Sequence, residues 1–166
     1  MNSHHGRARR QPGADPAGSV PLMTGLPPSL ETPQGFSQVV DYRLLVWRPD
    51  HAEVVLEIGP KHLNRSGVLH GGVVATLIDT ACGYAGVHAI EPGKIRRAVT
   101  LSMTVSFIAQ VGLGAVLTAR ARRTGGGRNI FFSRCEVADG DARLVATGEG
   151  TYRYRQGSET PTETKD

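Results

Sequence analysis

Two consecutive glycines behind a histidine, His70-Gly71-Gly72, and a lone carboxylate, Asp79, are the residues of this 166-residue chain whose types and spacing could do chemistry. Glycine is a poor helix former, costing about 1 kcal/mol per residue against alanine. What it offers is bare backbone that a ligand oxygen can approach closely. At a helix N-terminus the amides are unpaired and carry the positive end of the dipole. A carbonyl oxygen gaining negative charge would be stabilised there, although the same pair would also suit a tight packing turn. Asp79 is the only acid between Leu69 and Ile90. A carboxylate inside an apolar helix is costly unless it is paired or used. Its use would be as a general base or a nucleophile; a structural bond to Thr76 or Thr80 is the other reading. Asp79 near the centre also argues against a membrane span.

These residues need a helix to hold them. Val74, Leu77-Ile78, Ala81, Tyr84-Ala85 and His88 recur at helical spacing, which predicts one helix from Gly71 to about Ile90, stopped by Glu91-Pro92-Gly93. Ahead of it, Tyr42–Trp47 and Glu53–Ile58 read as a strand pair turning at Pro49-Asp50, followed by a loop over 59–69. Behind it, Val99, Leu101, Met103, Val105 and Phe107 alternate with Thr and Ser, which predicts a strand with a single apolar face. Val116–Arg122, Asn129–Val137 and Leu144–Tyr154 supply three more strands. Their connections, among them Thr124-Gly125-Gly126-Gly127, are short, so the pairing is antiparallel. The expected architecture is α+β, in the order β-β-α-β-β-β-β. A helix this apolar must be enclosed, so the sheet is expected to curl around it.

The spacing Asn64-x5-His70-Gly71-Gly72-x6-Asp79, followed by strands, resembles the PaaI-like thioesterases of the hotdog-fold superfamily, over about residues 35–154. The resemblance implies a curved antiparallel sheet wrapped around one long central helix. It further implies hydrolysis of acyl- or aryl-coenzyme A thioesters without a metal or other cofactor. Carried over by position, the Gly71 amide would polarise the thioester carbonyl, with Gly72 beside it contacting substrate. Asp79 would be base or nucleophile, Asn64 and His70 would orient the thioester and its loop, and Thr100 would bring a hydroxyl near the acid. One rival is a binding module for acyl-CoA on the same fold, to which Asp79 would be superfluous. A hotdog hydratase or dehydratase, with its His and acid at other spacings, is the other.

Composition agrees with a soluble single domain: 39% hydrophobic, 20% charged, net charge +4. Residues 1–28 carry +2 of that charge, residues 155–166 carry −1, and the body +3. That mild excess suits an anionic small molecule better than a nucleic acid. Arg96-Arg97, Arg122-Arg123 and Arg128 are available to coenzyme A phosphates, with Arg97, Arg123 and Arg128 as the candidates; a solvated charged rim is the alternative. Residues 1–28, which include His4-His5, and residues 155–166 lack any apolar period and are expected to be tails around a 29–154 domain. Cys82 and Cys135 lie in apolar stretches without metal-ligand spacing, which suggests reduced, buried thiols and a cytoplasmic protein. His51, His62 and His88 are expected to be structural. Finally, eight residues of helix separate Gly71 from Asp79 by about 12 Å. Both act on one carbon only if two chains share each site, so a homodimer is expected, with a dimer of dimers as a further step.

Overall fold

The computed structural model describes residues 26–88 and 96–156. A short helix α1 (Phe36–Val40) precedes the hairpin β1 (Arg43–Arg48) and β2 (His51–Glu57), whose turn uses Asp50 at φ +58°. A single 3₁₀ turn, Pro60–His62, leads through a loop to the long helix α2 (Gly71–Val87). Four strands follow: β3 (Ala98–Phe107), β4 (Val116–Gly126), β5 (Ile130–Ala138) and β6 (Leu144–Tyr154). All six strands form one antiparallel sheet in the order β1-β2-β4-β5-β6-β3, and α2 touches every one of them. The expected α+β arrangement, a curved sheet around one apolar helix, is what the chain adopts.

Alternation in the strands explains the wrap. Leu117, Ala119 and Ala121 of β4 and Phe131, Cys135 and Val137 of β5 are buried toward α2, while Arg120, Arg122, Arg134 and Glu136 between them are exposed. Against this concave face α2 sets Val74, Leu77, Ile78, Ala81, Cys82 and Ala85, all buried. Each large side chain among them contributes about 1.5–3 kcal/mol by leaving water. The fit depends on glycine. A Cβ on Gly86 would stand 2.0 Å from the Phe131 ring, and one on Gly148 would stand 2.7 Å from Ile78. Gly86→Ala is therefore expected to destabilise the protein by about 1–3 kcal/mol through overpacking. A lowered urea midpoint at constant slope would show it.

Several expectations needed correction. The apolar face predicted for β3 is broken by a bulge between Thr100 and Ser102. Thr100 pairs with Tyr152 and Met103 with Gly150, so Thr100 and Met103 share the helix side. Val99 and Leu101 are left 39% and 48% exposed. The triple-glycine turn is also displaced. β4 runs on through Gly126, which takes φ +128°, and a Cβ there would meet the Ile130 carbonyl at 2.4 Å. The turn itself falls on residues 127–129. Helix α2 ends at Val87, and the expected stop at Glu91-Pro92-Gly93 lies outside the described residues. So do residues 1–25 and 157–166 of the two expected tails. Just after the first of those spans, the carbonyls of Leu26 and Pro27 accept from Arg43 Nη1.

Two small elements escaped the sequence because they have too few residues to show a period. α1 buries only Val40. Its carbonyl is tied to the 3₁₀ turn by His62, which is buried. The His62 Nε2–H donates to Val40 O (2.7 Å) while Nδ1 accepts from the Gly59 amide (2.9 Å), so the ring is the neutral Nε2 tautomer. Among the described residues no helix is long and apolar enough to cross a membrane.

Candidate active site

Asp79 sits in the middle of α2 on the side the sheet leaves open. It is only half-buried, not enclosed as the apolar character of the helix suggested, because Thr76, Thr80 and Gly83 flank it on a partly exposed stripe. Its carboxylate is held from the sheet. The Thr100 hydroxyl donates to Asp79 Oδ1 at 2.8 Å. The Tyr152 hydroxyl shares its proton between the same oxygen (3.3 Å) and the Asp79 carbonyl (3.4 Å). Burial, then the neighbouring Cys82 and Asp79, push the Tyr152 hydroxyl far above its ordinary pKa, so it remains a donor. Its ring is fixed by stacking on Phe131, 5.0 Å between centroids. Both donors converge on Oδ1, and Asp79 lines a cavity of about 440 Å³.

The cavity has an aromatic wall. The Trp47 indole donates to the Tyr84 carbonyl at 2.9 Å and meets the Tyr84 ring edge-on, with centroids 5.4 Å apart. The Tyr84 hydroxyl donates to the Glu31 carboxylate. Burial first, then Glu31, hold that hydroxyl above its ordinary pKa as well. The mouth is basic, with Arg96, Arg97 and Arg155. Arg96 lies over the Tyr154 ring at 4.0 Å. Glu31, Trp47, Tyr84 and Tyr152 were missed as site residues, because nothing in their own surroundings ties them to Asp79. Glu31, for one, arrives on the segment that lies along β1, where the Leu30 amide bonds to the Leu44 carbonyl at 2.8 Å.

The start of α2 is a second, separate feature. His70 caps it: its Nδ1 accepts from the Gly72 amide (2.9 Å) and its carbonyl accepts from the Val73 amide (2.9 Å). Among the described residues the Gly71 amide has no such partner, and a Cβ on Gly71 would meet the Phe107 ring at 3.3 Å. Because Nδ1 is an acceptor, the His70 proton is on the exposed Nε2. Asn64 holds the approach loop, its Oδ1 accepting from the amides of Ser66 (2.8 Å) and Val68 (3.3 Å). Neither Asn64, His70, Gly71 nor Gly72 lines the Asp79 cavity of the same chain. Of the expected arginines, Arg97 does line it. Arg123 is turned to the β1–β2 turn, its Nη1 3.2 Å from Asp50 Oδ1, and Arg128 is exposed in the β4–β5 turn.

The chain as a whole has counterparts among known proteins. The family model described as "Thioesterase superfamily" matches residues 66–146, from the approach loop into β6. A mutant of the phenylacetic acid degradation protein PaaI from Thermus thermophilus is 30% identical. Its alignment covers 71% of this chain and 96% of that one, with a TM-score of 0.62. The chain belongs to the thioesterase superfamily. A conserved protein of Pseudomonas aeruginosa is 31% identical over 74% of this chain and 94% of its own, with a TM-score of 0.66. Mouse acyl-coenzyme A thioesterase 13 is 28% identical, over 70% of this chain and 83% of its own. For a thioesterase superfamily chain folded this way, the bare amides and the acid lie at different places on the surface of one protomer.

Proposed function

We propose that this protein hydrolyses acyl- or aryl-CoA thioesters to the free acid and coenzyme A. The observation that carries the reading is the Asp79 carboxylate, fixed on one oxygen by Thr100 and Tyr152 and lining a cavity that Arg96, Arg97 and Arg155 also line. In the general-base form, Oδ2 takes a proton from water, the water oxygen bonds to the thioester carbon, and the carbon–sulfur bond breaks to release the thiolate. In the nucleophilic form Oδ2 itself bonds to the thioester carbon, the carbon–sulfur bond breaks to release the thiolate, and water then cleaves the resulting anhydride to the free acid and the Asp79 carboxylate. In either form the carbonyl oxygen gains charge and needs a donor. The Gly71 amide is that donor, with Gly72, His70 and Asn64 shaping the loop around it.

The same chain cannot supply both parts, since about 12 Å of helix separates Gly71 from Asp79. A two-fold dimer supplies each twice. β3 is an edge of the sheet, and Val99, Leu101, Phe107 (60% exposed) and Ile108 (54% exposed) stand uncovered along it and at its end. An apolar, unpaired edge of this kind is suited to a second copy of the chain. The basic mouth, Arg97 included, suits the phosphates of coenzyme A; Arg123 and Arg128 would serve only from the partner chain.

The direct test is release of free thiol from a panel of short, medium, long and aryl CoA esters, read with a thiol-trapping dye. At least one ester is expected to turn over well above its spontaneous rate, and none doing so would overturn the reading. Thr100→Val removes the bond to Asp79 Oδ1 while keeping the shape. A hydrogen bond to a charged group is worth roughly 1.5–3 kcal/mol. A fall in kcat of about tenfold or more is expected, with KM little changed.

A further inference from the structure

Helix α2 carries four glycines, and three of them are accounted for by what a side chain would strike. A Cβ on Gly71 would meet the Phe107 ring at 3.3 Å, one on Gly72 the His70 ring at 2.9 Å, and one on Gly86 the Phe131 ring at 2.0 Å. Gly83 is different. Among the described residues, beyond its chain neighbours and the nearby backbone of its own helix, no atom lies within 4 Å of the place its Cβ would take, and it sits inside α2. Glycine is the poorest interior helix residue after proline. The fold of one chain gives no reason to keep it there.

The cavity beside Asp79 does. Gly83 lies one helical turn beyond Asp79 and lines the same cavity, between Thr80 and Val87. The aromatic side chains that line the same cavity are tied down, Trp47 to the Tyr84 carbonyl and the Tyr84 hydroxyl to Glu31. The room over Gly83 is therefore what decides how thick a group can lie next to the acid. We propose that Gly83 is a specificity-determining residue: its bare backbone admits ring-bearing or branched acyl groups beside Asp79. The inference rests on the thioesterase reading and names the acyl class which that site takes.

The experiment compares wild type, Gly83→Ala and Gly83→Leu on acetyl-CoA, isobutyryl-CoA and benzoyl-CoA. The first readout is the ratio of kcat/KM for benzoyl-CoA to that for acetyl-CoA. Size discrimination in apolar pockets runs at about ten- to two-hundredfold per methylene, so Gly83→Leu is expected to lower the ratio at least about tenfold and Gly83→Ala by less. The second readout is binding without turnover. Trp47 is the single tryptophan of the chain and sits in the cavity wall. Quenching of its fluorescence in the Asp79→Asn background should show the same loss for benzoyl-CoA. Gly83→Ala should also melt at or above the wild-type temperature, as helix propensity dictates. A ratio within twofold of wild type in Gly83→Leu overturns the inference. So does a changed oligomeric state in sedimentation, which would assign the glycine to a contact between helices. Quenching that depends on residue 83, without thiol release from any ester, would sustain the inference and refute the hydrolase. No quenching by any ester would overturn it.

Discussion

Asp79→Asn is expected to lower kcat by between about a hundredfold and ten-thousandfold, the span that a positioned acid or base contributes. The substitution replaces one oxygen by an amide nitrogen of nearly the same size. Thr100 can still donate to the remaining oxygen, the ring of Tyr152 stays stacked on Phe131, and α2 keeps its buried face. The amide cannot take a proton from water, nor attack a thioester. Thermal unfolding close to wild type, together with retained quenching of Trp47 by acyl-CoA, would separate lost chemistry from lost fold. A kcat within twofold of wild type would remove Asp79 from the mechanism and favour a binding module on this fold.

Mixing two inactive variants is expected to restore about a quarter of wild-type activity. One is Asp79→Asn; the other is Gly71→Pro, which deletes the amide proposed to hold the thioester oxygen. Proline is tolerated at the first position of a helix. His70 already has ψ 130°, the region that a residue before proline prefers. The Phe107 ring, 3.3 Å from a Cβ at position 71, is exposed and free to shift. Random pairing after refolding makes half the dimers mixed. Each mixed dimer holds one site with both parts intact and one with both damaged. Verified mixed dimers without activity would place each site within a single chain and disprove the pairing of Gly71 with Asp79.

The local elements were readable in the sequence because each one is encoded by a period or a punctuation. Alternation placed β4, β5 and β6, with β6 matching Leu144–Tyr154 to the residue, and the 3.6-residue repeat placed α2. His70, Gly71, Gly72 and Asp79 stood out for being costly or unusual where they are, and their spacing, with Asn64, carried the family. Periodicity failed where geometry overrode it. The bulge at Leu101 changes which residues of β3 face the helix, and a strand with a bulge has the same local alternation as one without. That one extra residue is what turns Thr100 toward Asp79.

What the sequence determined by itself was the six strands and the long helix, the positions of the candidate acid and amides, and the distance between them along one helix. Only the tertiary structure decided what surrounds that acid. The strand order sends β3 past β4 and β5 to pair with β6, and this brings Thr100 and Tyr152, 52 residues apart in sequence, to one carboxylate oxygen. It also brings Glu31 and Trp47 from the start of the domain to the cavity wall. No local rule of spacing reports such contacts, because they arise from where the sheet closes over the helix, and closure is a property of the packed core as a whole.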